Sequence, residues 1–210
     1  MAKYLEFGGF NYGVEFLYQR RRPVPFLDHY HRMGNADFEE SIRVQHAFKD
    51  GNPAAVAFFA PIMARIIAHE FDGRTTHVVP TLGSTDLTPD PNCGSYKLAE
   101  AVANALGVPL DVNSFFQIAE REKLHGGGKS RKRDERERIV RDVLRQRGNI
   151  AGRSYLVVDD IFTTGATMTV YAELMEEAGA TLAGGAALFR YEDTRPLLNP
   201  EMFPPLARKI

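Results

Sequence analysis

The stretch Tyr155-Leu-Val-Val-Asp-Asp-Ile-Phe-Thr-Thr-Gly-Ala-Thr167 constrains this chain more than any other part of it. Its four apolar residues, Tyr155 to Val158, read as a buried strand bounded by Gly152 before and by Asp159-Asp160 after. Small and hydroxyl residues then turn the chain into a helical pattern over 166–178, closed by Gly179. A strand that passes so quickly into a helix belongs to a βα unit. In open α/β sheets such units bind ligands at the carboxyl ends of the strands.

Other segments repeat the pattern. His77-Val-Val-Pro80, Phe115 to Ile118 and Ala183 to Phe189 are strand candidates, and Ser95 to Leu106 is a helix ended by Gly107 and Pro109. Residues 38–49 and 53–70 are also helical. In the second, Val56, Phe59, Ile62, Met63, Ile66 and Ile67 recur at three- and four-residue spacing. Strands alternating with helices predict an α/β fold with a doubly wound, mainly parallel sheet. Residues 1–40 are aromatic, with turns at Gly8-Gly9 and at Pro23 and Pro25, and read as short strands or loops on the main body.

At 210 residues the chain is long enough for one domain with a full core. Near-neutral net charge, −1, excludes a general polyanion coat. One cysteine, Cys93, excludes an internal disulfide and any multi-thiolate zinc site, and its polar surroundings make it a free loop thiol. The first residues lack the apolar core of a signal peptide, and Pro61 and Arg65 interrupt the longest apolar stretch, so a cytoplasmic protein without a membrane partner is expected.

The loop Thr163-Thr164-Gly165-Ala166-Thr167 offers backbone N–H groups and three hydroxyls at a helix N-terminus, a cradle for an anion. Gly165 permits close backbone approach. Beside it, Asp159 and Asp160 can accept hydrogen bonds from a pair of vicinal hydroxyls. A phosphate cradle next to a diol acceptor fits ribose 5-phosphate. The competing reading, two acids that merely cap a helix, explains the threonines less well.

Residues 155–167 resemble the thirteen-residue phosphoribosyl pyrophosphate (PRPP) motif of the type I phosphoribosyltransferases: four mostly apolar residues, two acids, two variable residues, then Thr-Thr-Gly-Ala-Thr. The stretches 44–51, 130–139, 152–155 and 176–180 look like the ComF-like branch, whose cysteine-rich zinc element this chain lacks. The resemblance implies a core domain over 41–190, with 1–40 and the tail 191–210 as candidates for a small variable hood. By the same resemblance, Asp159 and Asp160 contact the ribose hydroxyls, and Thr163, Thr164, Gly165, Ala166 and Thr167 hold the 5-phosphate. The family's pyrophosphate loop maps onto Thr81, Leu82, Gly83 and Ser84, after the strand 77–80. Mg²⁺ is implied as cofactor, held by phosphate oxygens and water, with no dedicated protein metal cage. Homodimers are frequent in the family, so a homodimer is implied by analogy.

A mobile loop over 121–133, centred on Gly126-Gly-Gly128, is the candidate lid; Lys123, Lys129, Arg131 and Lys132 could close over pyrophosphate, with Lys129 and Arg131 as candidate catalytic cations. Downstream, 133–146 carries i,i+4 charge pairs such as Asp134–Arg138 and Glu137–Arg141 and reads largely as an exposed helix. Gly128-Lys129-Ser130 is not a phosphate-binding P-loop, because Lys123 occupies the position of its first glycine. Tyr191, after the last core strand, is a candidate to stack on an acceptor ring.

The expected function is transfer of phosphoribosyl between PRPP and a nucleobase or related nitrogen nucleophile, with pyrophosphate release. The alternative is a non-catalytic PRPP- or nucleotide-binding regulator. A nucleic-acid partner is a lesser alternative, suggested by eleven Lys and Arg against five Asp and Glu over 121–147.

Overall fold

The computed structural model describes residues 3–17, 22–30, 39–121, 132–191 and 203. Its central sheet has six strands: β1 (Lys3–Phe7), β2 (Phe10–Leu17), β3 (Arg22–Tyr30), β4 (His77–Pro80), β7 (Ser154–Phe162) and β8 (Thr181–Tyr191). They lie in the order β1-β2-β3-β8-β7-β4. The pairings β3–β8, β8–β7 and β7–β4 are parallel, while β1–β2 and β2–β3 are antiparallel. A separate antiparallel pair joins β5 (Phe115–Gln117) to β6 (Leu144–Gln146). The helices are α1 (Glu39–Lys49), α2 (Pro53–Phe71), α3 (Gly94–Leu106), α4 (Arg133–Val143) and α5 (Ala166–Glu177).

Strand β7 shows why the sheet is wound on both faces. Its side chains alternate, as a period of two requires. Leu156 and Val158 enter a core with Val78, Leu188 and the apolar faces of α1, α2 and α3. Tyr155 and Val157 enter a second core with Val79, Phe115, Val140 and the apolar face of α5. Strands covered on both faces become continuously apolar, the character of Tyr155 to Val158.

Helix α2 starts at Pro53, with Asn52 Oδ1 accepting from the N–H groups of Ala54 (3.0 Å) and Ala55 (3.3 Å). By length and composition it could cross a membrane. In this fold Phe59, Met63, Ile66, Ile67 and Phe71 are instead buried in the core. Gly184 and Gly185 in β8 make room for the layers on either side. A Cβ at Gly184 would stand 2.5 Å from the Phe71 ring, and one at Gly185 2.4 Å from Met168 Sδ.

Three elements differ from the sequence expectation. Residues 3–17 and 22–30 form three strands of the central sheet, held by antiparallel pairing of β1–β3 and by the parallel ladder of β3 on β8. Strand β7 continues past Val158 to Phe162, because β8 keeps pairing with it through Phe162↔Arg190. The charged helix α4 stops at Val143 rather than continuing to Gln146; Leu144 is buried and 144–146 pair with β5. The expected pair Glu137–Arg141 is replaced: Glu137 pairs with Arg133, and Arg141 pairs with Glu173 on α5. The helix thus packs against a neighbour instead of standing free in solvent.

At the N-terminal end of β7, Asp111 organises a buried network. Its Oδ2 accepts from Tyr155 Oη (2.6 Å), Ser114 Oγ (2.6 Å) and Arg153 Nη1 (3.1 Å). Burial works against ionising Asp111, but the hydrogen bonds from Ser114 and Tyr155 outweigh it and its pKa is lowered. Asp111→Ala would leave the Tyr155 hydroxyl proton without its acceptor, with only the contact from Arg153 remaining, and should cost about 2–3 kcal/mol in urea unfolding at neutral pH. A lowered carboxylate pKa gives stability that is present above the unfolded value and lost as pH falls through the folded one. The wild-type advantage should therefore shrink under acid, and a gap that stays constant with pH would refute a charged Asp111.

Candidate functional site

A cleft of about 490 Å³ opens at the carboxyl ends of β4 and β7. One wall is the segment Thr81 to Asp86; another runs from Asp159 through the start of α5. Lys49 and Asp50 from the α1–α2 turn, the stretch around Asp90 to Ser95, and Arg121 complete the lining among the described residues.

Asp159 sits where the two strands meet. Its Oδ1 accepts from Thr81 Oγ1 (2.7 Å) and from the N–H of Asp160 (2.9 Å). Burial, and then the neighbouring charge of Asp160, hold its carboxyl well above the usual carboxylate range. Asp160 is more open, with Lys49 Nζ 4.0 Å from its Oδ2. The pair therefore combines one acid that takes up a proton readily with a second, half-buried acid beside a cation.

The segment after β4 is held from three directions. The Gly83 N–H donates to Asp86 Oδ2 (3.0 Å), so this amide already faces an oxyanion. Gln117 Nε2 donates to the carbonyls of Gly83 (2.6 Å) and Asp86 (2.7 Å). Arg121 donates from Nη2 to the Leu82 carbonyl (2.9 Å) and from its backbone N–H to that of Ser84 (2.8 Å). Burial pulls the Arg121 pKa down, while the fields of Asp159 and Asp86 oppose that shift. A guanidinium keeps its charge under such a shift. Arg121 thus brings a fixed positive charge to the cleft beside Thr81, Leu82, Gly83 and Ser84.

Gly165 begins α5 in the left-handed region, φ 74°, which favours glycine. A Cβ there would also stand 2.7 Å from Leu17 Cδ1. With glycine at the cap, no side chain accepts from the first N–H groups of the helix. Thr163, Gly165, Ala166 and Thr167 line the cleft. Thr164 does not; its Oγ1 is buried without a partner among the described residues.

The structure thus brings Asp159, Asp160, Thr163, Gly165, Ala166, Thr167 and Thr81 to Ser84 into one cleft. Lys123, Lys129 and Arg131 lie outside the described residues. Tyr191 ends β8 opposite Tyr30 and is not among the lining residues; the aromatic that lines the cleft is Phe162, with the Arg190 guanidinium 5.5 Å from its ring centroid. Cys93 is a free thiol, as expected, at the loop position that caps α3. Its Sγ lies 3.2 Å from Ser95 Oγ, and burial pushes the thiol up, away from a nucleophile's range. Gln117 and Arg121 were not legible as site residues. Gln117 reads as one polar residue in a short strand, and Arg121 as one cation at the border of a basic segment.

The model of the phosphoribosyl transferase domain matches residues 91–199 of this chain. The chain belongs to the phosphoribosyl transferase domain family. The adenine phosphoribosyltransferase of Corynebacterium kroppenstedtii is 37% identical over 51 residues, which span 24% of this chain and 28% of that protein. Among solved structures, the adenine phosphoribosyltransferase of Saccharomyces cerevisiae complexed with an imino-altritol bisphosphate and adenine is similar at 18% identity and a TM-score of 0.42, over 66% of this chain and 70% of that one. That of Trypanosoma brucei, in complex with AMP, pyrophosphate and ribose-5-phosphate, is similar at 13% identity and a TM-score of 0.43, over 70% of this chain and 67% of the other.

The raised pKa of Asp159 has a measurable consequence. The unfolded chain ionises this group at lower pH than the folded protein does. A penalty on the fold therefore develops as pH rises past the unfolded value, near 4, and levels off above the folded one. Asparagine at 159 can still accept from Thr81 and the Asp160 N–H. Asp159→Asn should accordingly be more stable than wild type by about 1–2 kcal/mol at pH 8, and indistinguishable from it near pH 3.5. Urea midpoints at both pH values check this, and a difference that does not grow with pH would refute it.

Proposed function

We propose that this cleft binds PRPP with Mg²⁺ and transfers the phosphoribosyl group to a nucleobase or related nitrogen nucleophile, releasing pyrophosphate. One juxtaposition carries the reading: the Asp159–Asp160 pair stands between the glycine-capped start of α5 and the Thr81–Ser84 segment, within a single cleft. PRPP needs these three functions at once: a cradle for the 5-phosphate, acceptors for two ring hydroxyls, and donors for pyrophosphate.

Thr163, Gly165, Ala166 and Thr167 hold the 5-phosphate in this reading, through backbone N–H groups and hydroxyls. Asp159 and Asp160 accept from the ribose hydroxyls and favour positive charge as it builds on the sugar. The C1–O bond breaks with its electron pair leaving on pyrophosphate, which Gly83, Ser84 and the Arg121 charge receive. The acceptor nitrogen's lone pair forms the new C1–N bond, and its proton passes to solvent or a base. Lys129 and Arg131 join the cation set in this reading. Two adjacent carboxylates are hard oxygen donors that fit Mg²⁺, and no cluster of three His, Cys, Asp or Glu exists among the described residues to cage a metal. When bound, the ion supplies charge neutralisation for the departing pyrophosphate. A ComF-like affiliation, a homodimer and a cytoplasmic location belong to the same proposal. They rest on the motif stretches and on analogy.

The test is pyrophosphate release from PRPP and Mg²⁺ with a panel of bases, adenine first because the curated relative is named for it. One or more bases should support release. Asp159→Asn combined with Asp160→Asn should lower it by at least about a hundredfold, with the circular dichroism spectrum unchanged. PRPP binding without release by any base would leave a binding protein in place of an enzyme. Full activity in the folded double variant would overturn the site.

A further inference from the structure

Helix α4 packs along α5 and carries two arginines one turn apart, Arg133 turned to α5 and Arg136 to the phosphate cradle. Arg133 Nη2 donates to Thr169 Oγ1 (2.9 Å), in the first turns of α5, and its Nε donates to Glu137 Oε1 (2.5 Å). Arg136 Nη1 donates to Thr163 Oγ1 (3.2 Å), at the other end of the cradle. The Arg136 Nε is buried and has no partner among the described residues. Thr163 lines the cleft, whereas Arg136 does not.

The chemistry of this contact is one-directional. A guanidinium has five N–H donors and no acceptor, so at this contact the Thr163 oxygen must accept. A hydroxyl has one proton and two lone pairs. With one lone pair committed to Arg136, the Thr163 proton remains available to a second partner. Without that commitment a threonine hydroxyl readily turns its proton onto a nearby backbone carbonyl. We propose that Arg136 is a positioning residue for the phosphate end of the substrate. It fixes Thr163 as a donor toward the cleft and places a permanent positive charge one hydrogen bond behind it. Arg133 has a different task, tying α4 to α5. The role of Arg136 rests on the phosphoribosyl reading of the cleft and adds to it a residue from outside the thirteen-residue motif.

Isothermal titration of the full chain with ribose 5-phosphate, and separately with inorganic pyrophosphate, tests this. Wild type should bind both. Arg136→Gln should weaken ribose 5-phosphate about tenfold and leave pyrophosphate unchanged, because a charge-assisted donor is lost at one end of the cleft only. Arg136→Lys should recover part of the loss. Thr163→Val should weaken ribose 5-phosphate by itself, and adding Arg136→Gln to it should cost clearly less than the same change costs in wild type, since only the charge and no longer the orientation of that hydroxyl is then lost. Arg133→Gln should lower the unfolding midpoint without selective loss of either ligand. Wild-type affinity in Arg136→Gln, equal loss of both ligands, or additive losses with Thr163→Val would overturn the proposal while leaving the cleft assignment intact. If wild type fails to bind ribose 5-phosphate, the cleft assignment itself falls and the role of Arg136 with it. Should Arg136→Gln not fold, Arg136→Lys decides: an intermediate loss confined to ribose 5-phosphate supports the role, and no loss or a loss of both ligands refutes it.

Discussion

The ladder between β4 and β7 is the constraint from which the cleft follows. Its last rungs are a backbone hydrogen bond from the Thr81 N–H to the Val158 carbonyl (2.8 Å) and a side-chain bond from Thr81 Oγ1 to Asp159 (2.7 Å). Because the two strands are parallel, both carboxyl ends open at the same edge, and both following segments face one space. A slip of this register would separate Thr81 from Asp159 and the Gly83 amide from the acid pair. The two cores fastened to opposite faces of β7 make such a slip costly, since it would move Leu156, Val157 and Val158 out of their packing.

What the cores stabilise, the cleft partly gives back. Asp159 is held above its ordinary pKa and Arg121 below its own, both chiefly by burial. Gly165 occupies a conformation and a space that suit only glycine. Thr164 Oγ1 and Gln117 Oε1 are buried without partners among the described residues. Asp159, Arg121 and Gly165 carry these costs in the cleft where a polar ligand would later be received, the usual place for them, while Thr164 and Gln117 stand behind its lining. At the opposite end of β7 the Asp111 network satisfies its carboxylate fully, and the strand is anchored there.

The predicted elements show which physical signals survive without neighbours. The strands at 77–80 and 155–158 and the helices at 53–70 and 95–106 were legible because their apolar spacing is local and the second helix ends on Gly107 and Pro109. The extension of β7 to Phe162 was not, because its last pairings depend on β8, some thirty residues later. The short strand β6 hid inside a charge pattern suited to a helix; only the burial of Leu144 and pairing with Phe115 to Gln117 reveal it. The sequences of β1 to β3 lack clean alternation, and their place in the sheet is set by the pairing of β3 with β8.

The same division holds for the cleft. The central chemistry is written along the chain: two acids at the end of an apolar strand, then a hydroxyl-rich turn with glycine at a helix start. These residues are contiguous, so covalent connection alone puts them together. What surrounds them depends on packing between distant segments. Thr81 reaches Asp159 across 78 positions, Arg136 reaches Thr163 across 27, and Gln117 and Arg121 grip the segment after β4 from β5 and beyond. Tyr191, close to the motif's strand by topology, is absent from the lining, while Phe162 inside the motif is present. Contacts of this kind depend on how packed layers orient side chains, and no spacing along the chain encodes that orientation.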